Sequence, residues 1–362
     1  MFKSVKKLGV LAVGGGNDSI SSLWLLGELR KAGLQPEQMD VICMLPENVN
    51  YTGLEHTTVP RIGRITSKTA RAIDGKTIKR LPEAALASSM NRFGIRQLLG
   101  IDLAAGSLGM AASLNTLLDQ EKYDLLLAVD VGGDFIAHYD NTKVLSPMMD
   151  AYAAFTLKTL QSKTNTPILG AVFGLGFDGE STEVMIEEAL LQIQGHQVLK
   201  FTDSYADITK FYMEEVRPHR RSQTGDLMVH ALGGQLLPEY QVSRPFHVRT
   251  PQGTHKHQVF KPFQPCTKRA LEIHLFHDLS RIHNRFIVPC SNGLDWERQI
   301  RDNDLKLNHE LCGQILQDTY IGTPSWFFDE IRPTILADIK TARTSRLYDK
   351  IITYSQDASA TH

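Results

Sequence analysis

Four short apolar runs mark the first half of the chain: residues 8–13, 41–45, 125–129 and 168–173. Each is rich in leucine and β-branched side chains, and each is closed by a turn. A weaker fifth run covers residues 197–201. Both parities of these runs are apolar, which suits strands buried on two faces, as in a parallel sheet covered by helices. The segments between them carry helical periodicity. Residues 19–31 place Ile20, Leu23, Trp24 and Leu26 on one side, and residues 102–118 are small and apolar. Ser146 followed by Pro147 reads as an N-cap with proline at the first helical position, opening a helix that runs to about 160. Residues 181–193 carry Glu183, Glu187 and Glu188 outside and Val184, Ile186, Leu190 and Leu191 inside. The β-α-β-α alternation predicts an α/β fold with a doubly wound, mostly parallel, Rossmann-like sheet.

The pattern changes near Arg217. From there to about Cys266 the chain is rich in Pro, His, Gln and Gly, and then helical periodicity returns over 268–284, 296–319 in pieces, and 324–341 with Thr323 as cap. This predicts a ligand-binding α/β domain over 1–215 and, over 216–362, a loop-rich and then mainly helical extension or small second domain. A chain of 362 residues exceeds what one core usually organises, which agrees with that division.

Composition narrows the classes. At 42% hydrophobic and 22% charged residues the chain is an ordinary globular one, and its net charge of -1 gives no electrostatic case for a nucleic-acid partner. Cys43, Cys266, Cys290 and Cys312 are widely spaced and form no CxxC, so they read as reduced structural thiols. Lys3, Lys6 and Lys7 precede an apolar run too short for a signal peptide, and no run of about 18 apolar residues exists to span a membrane. The cytoplasm is the expected compartment.

The chemistry is expected at the strand ends. The first strand closes on Gly14, Gly15, Gly16, Asn17, Asp18 and Ser19, entering a helix. The third closes on Asp130, Val131, Gly132, Gly133 and Asp134, with His138 four residues on as a candidate base. The fourth closes on Gly174, Leu175, Gly176, Phe177, Asp178, Gly179 and Glu180. In an open parallel sheet these turns share the carboxyl edge, where ligands bind. Glycines let backbone N–H groups approach a ligand, and a helix opening there offers its positive dipole end to an anion. The carboxylates would repel a bare phosphate; they suit a magnesium ion, hydroxyls, or acid and base duty. Asp130 and Asp134 are the expected metal ligands. Asp130, Asp134, Asp178, Glu180 and His138 are the expected catalytic groups. The glycines with Asn17, Asp18 and Ser19 are expected to bind cofactor or phosphate. Glycine and aspartate are also ordinary turn residues, and what favours a site is three such turns on one edge.

Two resemblances bear on this. The segment 14–19 resembles the SGGxDS loop of the ATP-pyrophosphatase superfamily, with Gly14 in place of the serine. Asp130-Val131-Gly132-Gly133-Asp134, then Leu145-Ser146-Pro147 with Asp150, then the run from Phe173 to Glu180, resembles an uncharacterised family of archaeal and bacterial proteins, domain-of-unknown-function family 1152. That resemblance runs from about 8 to about 201 and implies a nucleotide-binding-like α/β architecture without an established activity.

Other signals weigh less. Nine histidines lie between His219 and His309, and His274 and His277 would share a face if their segment were helical. Neither a P-loop nor a GxSxG elbow occurs. Trp326, Phe327, Phe328 and Ile331 read as helix core or, if exposed, as a surface for a second copy in a homo-oligomer or for another partner. The leading expectation is an enzyme, a transferase, ligase or hydrolase, acting on ATP, another nucleotide or a phosphorylated small molecule with magnesium. A non-catalytic sensor of a small ligand is the alternative from another class. An NAD-dependent oxidoreductase with Glu47 on the ribose is a third.

Overall fold

The computed structural model describes residues 2, 4–14, 18–45, 50–73, 77–136, 147–177, 183–193, 196–219, 222–234, 240–250, 253–263, 269–283, 287–292, 295 and 299. Its centre is a nine-stranded sheet. In chain order the strands are β1 Lys7–Ala12, β2 Gln38–Leu45, β3 Asn50–Thr52, β4 Glu55–His56, β5 Ile62–Arg64, β6 Ala70–Ile73, β7 Thr77–Arg80, β8 Gln97–Asp102, β9 Leu125–Val131, β10 Ile168–Phe173, β11 Gln197–Lys200, β12 Tyr240–Thr250, β13 Gly253–Phe263 and β14 Glu272–Phe276. The helices are α1 Asp18–Lys31, α2 Pro82–Ser88, α3 Met90–Phe93, α4 Gly106–Glu121, α5 Pro147–Gln161, α6 Glu183–Gln192, α7 Ala206–Phe211 and α8 Gln223–Leu232.

The sheet order is β11-β14-β10-β9-β1-β2-β8-β5-β4. Five strands, β8, β2, β1, β9 and β10, run parallel in the doubly wound arrangement, with the strand order reversing between β1 and β9. Antiparallel β14 and β5 flank them. The expected α/β fold is present, with helices on both faces.

Two apolar cores, one on each face, follow from strand alternation. On β9, Leu126 and Ala128 pack with Met110 and Leu114 of α4 and Ala154 and Leu157 of α5. Leu125, Leu127 and Val129 pack on the other face with Ile20, Trp24 and Leu29 of α1. Asp130 keeps the parity of Leu126 and Ala128, which aims it toward α4 and α5. Burial of a leucine-sized side chain contributes roughly 1.5–3 kcal/mol, so the two layers carry the fold.

The amino edge of the sheet is closed by a polar network. Fully buried Asp40 accepts from Arg96 Nε at 2.9 Å, Gln97 Nε2 at 3.1 Å and the Tyr123 hydroxyl at 2.7 Å. Burial, then the Asp40 charge, pushes the Tyr123 phenol far up, so it serves as a permanent donor.

One expected helix is overturned. Residues 268–284 contain strand β14 and a short 3-10 turn, Leu279–Arg281, in place of a helix. The pattern Ile273, Leu275 against His274, Phe276 fits either period, and the slot between β10 and β11 decides it. The helical pairing of His274 with His277 falls with it. The residues expected to be helical over 300–362, including Trp326–Ile331, lie outside the described residues. So does the expected N-cap Ser146.

Beyond expectation, β8 sits inside the sheet, and β12 with β13 forms a separate two-stranded hairpin. Gln97 and Gly100 break the apolar run of β8 and obscure it, while Gln38 and Asp40 hide only the start of β2. A Cβ at Gly100 would lie 2.4 Å from Leu45 Cδ1, so a larger residue there would require Leu45 to move. Among the described residues no helix is long and apolar enough to cross a membrane.

Candidate functional site

The carboxyl ends of β1, β9 and β10 lie side by side, because β9 pairs with both of the others. Their turns are laced together. Val13 N–H donates to Val129 C=O at 2.8 Å, Gly132 N–H to Phe173 C=O at 3.0 Å, and Gly176 N–H to Gly132 C=O at 2.6 Å. The glycines are needed by their backbone. Gly14, Gly132, Gly133, Gly174 and Gly176 all have positive φ, with Gly133 at 101°. A Cβ on Gly133 would also meet Leu175 Cδ2 at 2.8 Å, which is how the second and third turns come so close.

Around this junction four aspartates are buried. Asp18 opens α1, Asp130 ends β9, Asp134 opens the 3-10 turn Asp134–Ile136, and Asp150 lies in the first turn of α5. Their exposures are 7%, 1%, 7% and 3%, far below what unassisted carboxylates tolerate. One oxygen from each of Asp130, Asp134 and Asp150 lies within 4.8 Å of the other two. Asp130 is oriented by the Gly133 N–H, 3.1 Å from its Oδ2. Asp18 joins from the β1 side: a Cβ on Gly14 would lie 2.9 Å from Asp18 Oδ2 and 3.2 Å from Asp150 Oδ1.

Three other buried carboxylates among the described residues lie within donor networks of their own. Asp40 has its arginine and tyrosine, and Asp226 has Arg217 Nε at 2.8 Å and the Tyr212 hydroxyl at 2.9 Å. Glu28 accepts from Thr202 N–H at 2.9 Å and from the Tyr205 hydroxyl. What sets Asp130, Asp134 and Asp150 apart is that three carboxylates converge on one another. Two full charges about 5 Å apart repel by roughly 3 kcal/mol at an effective dielectric of 20, so a cation among them is the natural complement. An all-oxygen donor set suits a hard divalent ion such as magnesium, calcium or manganese and not zinc. The helix starts of α1 and α5 at the same edge can offer N–H groups to a ligand anion.

Of the residues expected from sequence, Gly14, Asp18, Asp130, Gly132, Gly133, Asp134, Gly174 and Gly176 are brought to this junction. Ser19 is buried beside the Cys43 thiol, on the core side of the α1 start. Gly15, Gly16, Asn17, His138, Asp178 and Glu180 lie outside the described residues, as does Glu47. Asp150 is the residue that site reasoning passed over, although it stands in the family motif. The signal was available: an aspartate one turn into a Ser-Pro helix start facing the same edge as Asp18.

The thiols are structural. Burial, then the charge of Glu83, pushes Cys43 well up, and burial also raises Cys290. Cys290 clasps the start of α4 through Ser107, whose N–H lies 3.4 Å from the sulfur and whose hydroxyl accepts from Cys290 N–H at 3.0 Å.

Residues 10–236 match the model of a family described as a protein of unknown function (DUF1152). No curated protein matches the chain. Among solved structures, the N,N'-diacetylchitobiose deacetylase from Pyrococcus horikoshii, complexed with its inhibitor MPG, is 12% identical and covers 61% of this chain and 72% of its own, with a TM-score of 0.32. At that score the likeness carries no argument about chemistry.

Proposed function

The chain belongs to the DUF1152 family, and on that premise we propose that it is an enzyme acting on a nucleotide or another phosphorylated small molecule through a magnesium ion held by Asp130, Asp134 and Asp150. The observation that carries this reading is the convergence of those three buried carboxylates at the point where the strand order reverses. A cation there would bridge the carboxylates to a phosphate that they would otherwise repel. It would also act as a Lewis acid on that phosphate and fix its orientation. Backbone N–H groups at the start of α1 would meet the remaining phosphate oxygens. Asp18, beside Asp150, is placed to accept a proton from an attacking hydroxyl or water. This arrangement supports a metal-assisted transferase, ligase or hydrolase step as the proposed reaction.

The test begins with Mn²⁺ titrated calorimetrically into the wild type and the Asp130→Asn, Asp150→Asn variant, then ATP and a panel of phosphorylated metabolites with the metal present. Binding of one ion to the wild type, lost in the variant, with metal-dependent binding and turnover of a phosphorylated ligand, supports the proposal. No metal binding by the wild type overturns it. Metal-dependent ligand binding with no turnover of any panel member would convert the reading to a non-catalytic sensor using the same edge.

A further inference from the structure

A second concave site lies between α7 and α8. The chain after α7 continues as a π-helical turn, Tyr212–Val216, in which Arg217 N–H reaches back five residues to Tyr212 C=O at 2.8 Å. Such turns recur at functional sites because the widened backbone re-aims neighbouring side chains. Here the widening lets Tyr212 and Val216 both enter the core while Arg217 turns to Asp226. Gly225 in α8 completes the fit, since a Cβ there would lie 2.6 Å from the Tyr212 ring.

The result is a cleft of about 490 Å³, inside the range of roughly 300–1,000 Å³ typical of small-molecule sites. Met213 and Val229 give it apolar walls, and Lys210, Arg217 and His230 line it with nitrogen-bearing side chains. Its one acidic wall residue, Asp226, is matched by Arg217 through contacts of 2.8 and 3.4 Å. Lys210 has no ion-pair partner among the described residues, so the cleft keeps a net cation at its rim. Met213 is 40% exposed there, a pliable apolar surface left open to solvent.

We propose that this cleft is a second ligand site, taking a small amphipathic anion whose carboxylate or phosphate head meets Lys210 and whose apolar body lies on Met213 and Val229. None of the residues lining the cleft belongs to the aspartate cluster. The two regions are joined through α1, where Trp24 Nε1 donates to Thr209 Oγ1 at 3.3 Å and the Trp24 and Tyr212 rings lie 5.7 Å apart, and through α8, whose Met228 Sδ lies 3.4 Å from where a Cβ on Gly174 would sit.

The experiment is calorimetric titration of the full chain with phenyl phosphate, phenylacetate, inorganic phosphate and neutral benzyl alcohol. It is repeated on Lys210→Ala, Val229→Glu and the Asp130→Asn, Asp150→Asn variant. At least one aromatic anion should bind, more tightly than inorganic phosphate or benzyl alcohol, and the better of the two identifies the head group. Lys210→Ala should weaken that binding about tenfold, in line with the loss of one charge-assisted contact. Val229→Glu should abolish it, and the aspartate variant should retain it. Absence of binding by both aromatic anions, or binding lost in the aspartate variant but unchanged by Lys210→Ala, would overturn the proposal. Only the metal titration bears on the aspartate cluster itself, so the two readings fail separately.

Discussion

Gly14 shows how much of the site rests on a missing side chain. Its φ of 81° lies in the left-handed region, and the space a Cβ would need is taken by carboxylate oxygens of Asp18 and Asp150. Gly14→Ala should therefore cost about 1–2 kcal/mol through backbone strain and should also push those carboxylates apart. The checks are a chemical-denaturation curve and the Mn²⁺ titration, with the metal affinity expected to fall more than the stability. The thiols allow a prediction of opposite sense. Because burial raises both Cys43 and Cys290, almost no thiolate forms near neutral pH. Iodoacetamide applied to the native protein should leave both unmodified by peptide mass spectrometry, while denatured protein is alkylated at each. Rapid alkylation of native Cys43 would contradict its placement inside the sheet.

Among the elements, β14 is the most informative. It lies antiparallel between β10 and β11, with His274 fully buried, 3.3 Å from Glu272 through Nε2 and with its ring 5.0 Å from that of His196. Burial, helped by His196, lowers His274 to about 4 from an ordinary value of 6.5. The folded chain thus binds fewer protons here than the unfolded chain between those values. Stability from this residue is complete above about pH 6.5 and is lost as pH falls toward 4, by a few kcal/mol in order of magnitude. Other groups that titrate in the same window are removed by comparing His274→Gln with the wild type. The difference in unfolding free energy between the two should change between pH 7 and pH 4.5 and level off above pH 7. The helical reading of this segment failed for a specific reason: two-sided burial hides the period-2 signal that would have marked a strand. Only the edge of β10 turned the ambiguity into an answer.

For the whole molecule, the consequence is that chain beyond residue 215 is built into the main sheet. β14 fills the place between β10 and β11, and Cys290 seats residues 287–292 on the start of α4. A chain ended at 236, the limit of the family match, would leave the β10 edge open, and open edges pair with other molecules. Such a truncation should aggregate or lose its cooperative unfolding transition, as light scattering and calorimetry would show. A compact monomer with unchanged midpoint would mean β14 contributes little. The same architecture links metal to stability: an ion at a hundred times its dissociation constant adds about 2.7 kcal/mol, and the Asp150→Asn variant should lose that increment.

Residue pattern alone determined the parallel strands β1, β2, β9 and β10 and the helices between them, and it pointed to the carboxyl edge as the candidate place for chemistry. Continuous apolar runs and glycine turns admit few other arrangements. It also singled out Asp18, Asp130 and Asp134, since acids at strand ends must face that edge. Tertiary structure decided what no local pattern encodes. It set the strand order that puts β1 beside β9, the insertion of β14, and the meeting of Asp150 with residues 16 and 20 positions before it. Those facts depend on which elements pack together, and packing is settled by the shape and burial of the assembled core, not by any window of sequence.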